Sequence, residues 1–126
     1  MEPLIAIVDD DRAVREALQR MLKSYGFTTS VFASAEKFLV SEQPERASCL
    51  ILDVRMPGMT GMALHHYLLA KGCRIPTILI TACPTSGERD LAIATGVVSY
   101  LAKPFSERVL LDTVRDALDP GAQAAK

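Results

Sequence analysis

Short apolar runs alternate along this chain with segments in which apolar residues recur every three or four positions. Three runs are continuously apolar, at residues 4–8, 49–52 and 77–80, and two are mixed, at 28–32 and 97–101. The segments between them predict helices at 12–25, 34–39 and 61–71, a short helix that ends before Gly96, and a final helix through 109–118. This alternation with short connections predicts five β-α units that form a parallel sheet with helices on both faces.

The apolar content of the runs also predicts the order of the strands. Parallel strands covered on both faces are continuously apolar, whereas edge strands are more mixed. The first, third and fourth strands are therefore expected in the centre, and the second and fifth at the edges. We predict a doubly wound α/β fold, a flavodoxin-like (βα)5 three-layer sandwich with the sheet order 2-1-3-4-5.

The length of 126 residues fits one domain, which we expect over residues 1–119, with a flexible tail at 120–126. A net charge of -1 and a pI of about 6.1 argue against nucleic-acid binding by this segment. No apolar run approaches the roughly 20 residues of a membrane span, so we expect a cytoplasmic protein without a membrane partner. Three cysteines without CxxC spacing favour reduced thiols over a disulfide or zinc site.

Polar residues that could take part in catalysis or metal binding lie at the ends of four of the predicted strands. Asp9, Asp10 and Asp11 follow the first strand, Asp53 ends the third, Thr81 ends the fourth, and Lys103 lies just after the fifth. Because the carboxyl ends of parallel strands share one edge of the sheet, these groups are expected to surround one cavity. Asp11 also has the alternative role of capping the first helix.

Grouped carboxylates repel one another unless a cation joins them. A donor set made of oxygen, without histidine or cysteine, favours a hard ion such as Mg²⁺. A carboxylate can accept a phosphoryl group as an acyl phosphate, and Mg²⁺ with Lys103 would neutralise the charge of that transfer. The pattern therefore indicates phosphoryl chemistry at this edge.

At these residues the chain closely resembles the response-regulator receiver family. The matching segments are IAIVDDD, LILDVRMPGMTG, ILITA and VSYLAKPF, in the expected order over residues 4–118. Within that family, SAEKFL and LAKPF are most similar to receivers of the FixJ/NarL kind. The resemblance implies two-component signalling, with Asp53 accepting a phosphoryl group from the phosphohistidine of a sensor kinase or phosphotransfer protein. It implies a stoichiometric acceptor with slow self-hydrolysis at most, and no true enzyme.

The resemblance also implies a role for each residue around the acceptor. Asp10, Asp53 and the backbone carbonyl of Arg55 would bind Mg²⁺ directly, and Asp9 would act through water. Thr81 would bond a phosphoryl oxygen, and Lys103 would pair with the phosphoryl group or with Asp53.

The same resemblance implies how the signal leaves the site. Tyr100 would turn inward as Thr81 moves, and this would reshape the face formed by the fourth helix, the fifth strand and the fifth helix of the five units. Homodimerisation through that face is possible on phosphorylation. The bond between Lys103 and Pro104 is expected to be cis.

Two positions depart from the usual pattern of the family. Arg55 lies two residues after the acceptor and Cys83 two after Thr81. We expect both to modulate the reaction, Arg55 by altering the lifetime of the acyl phosphate. The fourth helix, with Glu88 and Asp90 near its start, is expected to be short and loosely held.

Two other functions stay open from the residues. One is a degenerate receiver that acts as a phosphorylation-independent binding module. The other is a Mg²⁺ phosphohydrolase of the haloacid dehalogenase type, which would need an acid where Arg55 stands.

Overall fold

The computed structural model describes residues 3–119. Its elements are β1 Leu4–Val8, α1 Arg12–Ser24, β2 Thr28–Phe32, α2 Ala35–Leu39, α3 Gln43–Arg46, β3 Cys49–Asp53, α4 Gly61–Ala70, β4 Thr77–Thr81, α5 Ser86–Ala94, β5 Ser99–Ala102 and α6 Glu107–Leu118. The flexible tail expected at 120–126 lies outside the described residues. No helix within 3–119 is long and apolar enough to cross a membrane.

The five strands form one parallel sheet in the order β2-β1-β3-β4-β5, as the sequence predicts. All residues of β3 and β4 are buried, and β1 is buried from Ile5 onward, whereas β2 and β5 are partly exposed. The three continuous apolar runs therefore occupy the centre of the sheet. The register pairs Val8 with Leu52 and Asp53 with Ile80, so the central strands end together.

Alternate residues of the strands form two separate cores. Ala6, Leu50, Leu52 and Leu79 face α2, α4 and α5 through buried residues such as Phe38, Leu64 and Ala92. Ile5, Ile7, Ile51, Ile78 and Ile80 face α1 and α6 through Leu18, Leu22, Leu110 and Val114. This period of two along the strands gives the three-layer sandwich, with the sheet as the middle layer.

Local residues cap the helices at both ends, and the capping role considered for Asp11 is confirmed. Ser34 caps α2 with its hydroxyl, and the Asp11 carboxylate caps α1 by accepting from the amides of Ala13 and Val14. α5 ends before Gly96 as predicted, and α1 and α4 end in the same way before Gly26 and Gly72; all three glycines have positive φ.

Three details differ from the sequence prediction or refine it. β5 begins at Ser99, because Val97 still bonds back to Ala92 at the end of α5. The extra helix α3 was missed, since four residues show no periodicity. The fourth predicted helix, now α5, is indeed short and buries only Ala92.

Candidate functional site

The ends of four strands bring the predicted site residues to one edge of the sheet. Asp9 and Asp10 follow β1, and Asp53 ends β3. One carboxylate oxygen from each of these three aspartates lies within 4.8 Å of the others. Thr81 ends the neighbouring strand β4 and is completely buried. The three aspartates that the sequence predicts to lie together at this edge are therefore close to one another.

Lys103 reaches into this cluster from the turn after β5. Its ammonium lies 3.1 Å from Oδ2 of Asp9 and 3.5 Å from Oδ1 of Asp53. Burial opposes the charge of Lys103, but the bonds and ion pairs with the two aspartates outweigh it and raise the pKa. The next peptide bond, to Pro104, is cis as expected. In this structure Lys103 is closer to Asp9 than to Asp53.

The surroundings of Asp53 disfavour its ionised form. Burial, followed by the negative charge of Asp9, raises the pKa of Asp53 from 3.8 to about 6. Lys103 and the backbone amide of Arg55 oppose that rise and only partly cancel it. At neutral pH the carboxylate is therefore ionised, but burial and the charge of Asp9 destabilise this ionised form. Bonding to an electrophile or a cation would reduce that destabilisation.

Asp53→Asn is expected to raise the free energy of unfolding at pH 7 by about 1–2 kcal/mol, after allowing for solvent relaxation. The folded-state pKa lies above the unfolded one, so wild-type stability decreases as pH rises from about 4 to about 6. The gain should thus be small at pH 4 and nearly complete above pH 6. Urea unfolding of both proteins in metal-free buffer across this pH range measures it. Equal gains at pH 4 and pH 7 would contradict the electrostatic explanation.

The three aspartates have different surroundings that suit different roles toward a cation. Both oxygens of Asp9 are engaged, since Oδ1 accepts from the amide of Asp11 and Oδ2 bonds Lys103. Asp10 is exposed, and Asp53 is buried beside it. An all-oxygen set with one solvent-facing carboxylate fits Mg²⁺, which keeps several waters. The engagement of Asp9 agrees with an indirect role for that residue.

The loop after Asp53 is held by two contacts that the sequence analysis did not find. The amide of Met59 donates to Oε2 of Glu36 on α2, at 3.0 Å. Gly61, the first residue of α4, donates to the carbonyl of Val54 at 3.0 Å and leaves no room for a side chain. The second glycine of MPGMTG, Gly61, is a sequence signal for a close approach of the backbone, whereas nothing in the sequence pairs Glu36 with Met59.

Thr81 and Tyr100, the two expected switch residues, are both buried. The hydroxyl of Thr81 accepts from the amide of Cys83, whose own side chain is exposed. The Tyr100 hydroxyl donates to Oε1 of Glu88 and accepts from the amide of Thr85. The inward position of Tyr100 is thus the one present here, and its movement with Thr81 stays a prediction.

Arg55 does not direct its side chain to Asp53 in this structure. Its guanidinium lies 3.7 Å from Oε2 of Glu88 on α5, while its backbone amide bonds Asp53. Glu88 is a residue of this site that the sequence analysis did not identify, because its partners are distant along the chain.

Known proteins are similar to this chain in both sequence and fold. The family model described as "Response regulator receiver domain" matches residues 5–115. The response regulator protein TmoT of Ectopseudomonas mendocina is 42% identical over 122 residues, covering 93% of this chain and 53% of that protein. The transcriptional regulatory protein FixJ of Azorhizobium caulinodans is 34% identical over 125 residues, covering 97% of this chain and 58% of its own length.

Two solved structures are similar over nearly the whole chain. The response regulator StyR has a TM-score of 0.86 at 39% identity, covering 99% of this chain and 63% of that one. The structure described as FixJ-N has a TM-score of 0.83 at 32% identity, covering 94% of each chain. This chain spans about half the length of the curated relatives it matches first, such as TmoT.

Proposed function

Because this chain belongs to the response regulator receiver domain family of two-component signalling, we propose that Asp53 accepts a phosphoryl group from a histidine kinase or phosphotransfer protein. The observation that carries the proposal is the convergence of Asp9, Asp10, Asp53 and Lys103 at one edge of the sheet. A nucleophilic carboxylate, a cation-binding carboxylate and an ammonium are the groups that such a transfer requires.

In the proposed reaction an oxygen of Asp53 attacks the phosphorus of the phosphohistidine. The new P–O bond forms as the P–N bond breaks, and the imidazole leaves with the electron pair and takes up a proton. Lys103 lies within reach of the incoming oxygens, since it is 3.5 Å from Asp53. Mg²⁺ bound by Asp10, Asp53 and the carbonyl of Arg55 would neutralise charge on the phosphoryl oxygens.

The proposed output is a change in the face formed by α5, β5 and α6. Thr81 already accepts from Cys83, so its own hydroxyl proton can be donated to a phosphoryl oxygen. Movement of Thr81 toward the phosphoryl group would change the packing of Tyr100 beneath α5. Leu91 and Ile93 of α5 are about half exposed, at 48% and 50%. They support a homodimer through this face as one consequence of phosphorylation.

The reaction is stoichiometric, with one phosphoryl group held per chain and only slow hydrolysis. Arg55 stands where a phosphohydrolase of the haloacid dehalogenase type has its second acid, and its side chain lies against Glu88. The residue two positions after the acceptor is therefore not a carboxylic acid and cannot serve as the general acid for multiple turnover.

The test is phosphorylation by acetyl phosphate with Mg²⁺, followed by intact-protein mass spectrometry and gel filtration. Wild type should gain one phosphoryl group, and Asp53→Asn should gain none. Asp116→Asn, which removes an exposed acid of α6, is the matched control and should be labelled like wild type. An unlabelled wild type, or labelling that persists in Asp53→Asn, would overturn the proposal, and the former would favour a phosphorylation-independent binding module.

A further inference from the structure

Glu88 receives contacts from two different parts of the acceptor edge. Its side chain is only 17% exposed. Oε1 accepts from the hydroxyl of Tyr100 on β5, and Oε2 faces the guanidinium of Arg55 in the loop after Asp53. One carboxylate of α5 thus joins the acceptor loop to the strand that carries the switch tyrosine.

The beginning of α5 explains why this carboxylate faces Arg55. Thr85 and Glu88 have the spacing of a capping box, in which the glutamate would bond the amide of Thr85. Instead, the amide of Thr85 donates to the hydroxyl of Tyr100, and that hydroxyl donates to Glu88. The inserted hydroxyl leaves Oε2 of Glu88 directed to Arg55, so the helix cap and the acceptor loop share one network.

The pairing with Glu88 matters because the backbone of Arg55 lies beside Asp53. Its backbone amide bonds the Asp53 carboxylate, yet its guanidinium is turned away to α5. Among the described residues, Lys103 supplies the cation within ion-pair distance of Asp53. Arg55 is therefore a second cationic residue whose backbone contacts the acceptor while its guanidinium is held away from it. Its side chain remains 54% exposed, so it is free to change partner.

We propose that Glu88 is a positioning residue that withholds the guanidinium of Arg55 from Asp53 until a phosphoryl group arrives there. The inference rests on the proposed phosphorylation of Asp53. A phosphorylated aspartate carries more negative charge than Glu88 and several acceptor oxygens, which suit the planar fork of arginine. Arg55 then exchanges Glu88 for the phosphoryl group. The first turn of α5 loses its tether to the acceptor loop while it keeps its bonds to Tyr100.

Glu88→Gln tests this device, because glutamine keeps the size and an acceptor for Tyr100 but loses the charge that holds Arg55. The rate of labelling by acetyl phosphate should rise about three- to tenfold, since a released guanidinium attracts the anionic donor. The rise should vanish when Arg55→Ala is combined with Glu88→Gln. Glu42→Gln is the matched control, because it removes a carboxylate paired with Arg46 at the opposite edge of the sheet, and it should leave the rate unchanged.

Arg55→Ala alone gives a second measurement that leaves every side chain of α5 in place. Loss of the guanidinium from the phosphoryl oxygens should speed dephosphorylation about two- to fivefold. Equal dephosphorylation rates in wild type and Arg55→Ala would overturn the exchange of partners.

The outcomes separate this inference from the proposed function. If Glu88→Gln changes labelling equally with and without Arg55, Glu88 acts only through the packing of α5 and the inference fails. If wild type is labelled at Asp53 but Glu88→Gln changes nothing, the inference again fails and the proposed function stands. If wild type takes no phosphoryl group, both fail together.

Discussion

Gly61→Ala is expected to lower the free energy of unfolding by about 3 kcal/mol and the melting temperature by about 10 °C. A Cβ at Gly61 would lie 2.2 Å from the carbonyl oxygen of Asp53 and 2.9 Å from the Cα of Val54. These are backbone atoms at the end of β3, and they cannot move aside as a flexible side chain can. The start of α4 must separate from β3, which also breaks the bond from Gly61 to Val54.

Gly87→Ala is the matched control for this substitution. Gly87 lies in α5, and a Cβ there would meet nothing within 4 Å. Alanine in a helix is about 0.5–1 kcal/mol more favourable than glycine, so this variant should be slightly more stable than wild type. Thermal and urea unfolding of both variants measure the contrast. A Gly61→Ala protein as stable as wild type would show that the close approach of α4 to β3 is not required.

Lys103→Met is expected to lower the free energy of unfolding by about 2–3 kcal/mol at pH 7 without metal, and to slow labelling at Asp53 about a hundredfold. The ammonium is paired with both Asp9 and Asp53, and Asp9 is completely buried. Its removal leaves two neighbouring carboxylates without that cation. Because the pKa of Lys103 is raised, its ion pairs persist throughout the neutral range in wild type.

The loss of stability should depend on pH and on Mg²⁺. The pKa of Asp53, already raised to about 6, rises further without Lys103, so protonation at pH 5 removes much of the repulsion. The destabilisation should therefore be smaller at pH 5 than at pH 7, and millimolar Mg²⁺ should reduce it at pH 7. Lys37→Met, which alters an exposed lysine of α2, should show neither effect. Urea unfolding at both pH values decides this, and a loss that is independent of pH would refute the explanation.

Much of the fold could be predicted from hydrophobic patterns that extend over only a few consecutive residues. The runs that became β1, β3 and β4 are apolar at every position because both of their faces are covered, so the order of the strands could be predicted. The boundary of β5 could not, since Val97 and Val98 are as apolar as a strand. In the structure the amide of Val97 still bonds back to Ala92 of α5, whereas the amide of Val98 already bonds the carbonyl of Thr77 on β4.

The candidate site divides in the same way. Asp9, Asp53, Thr81 and Lys103 could be placed together because each ends or directly follows a strand, and parallel strands end at one edge. Their positions along the backbone were enough to predict that they meet at this edge. The preference of Lys103 for Asp9 over Asp53 was not predictable, since it depends on differences of a few tenths of an ångström.

The sequence by itself determined the parallel sheet, the edge at which the chemistry lies and the residues that stand there, because period and strand ends are local properties. Only the tertiary structure decided which long side chains meet across elements. Glu36 bonds Met59, 23 residues away, and Arg55 pairs with Glu88 rather than with Asp53. Periodicity predicts the face on which a residue lies, but the partner of a flexible charged side chain depends on how neighbouring helices are set against the sheet.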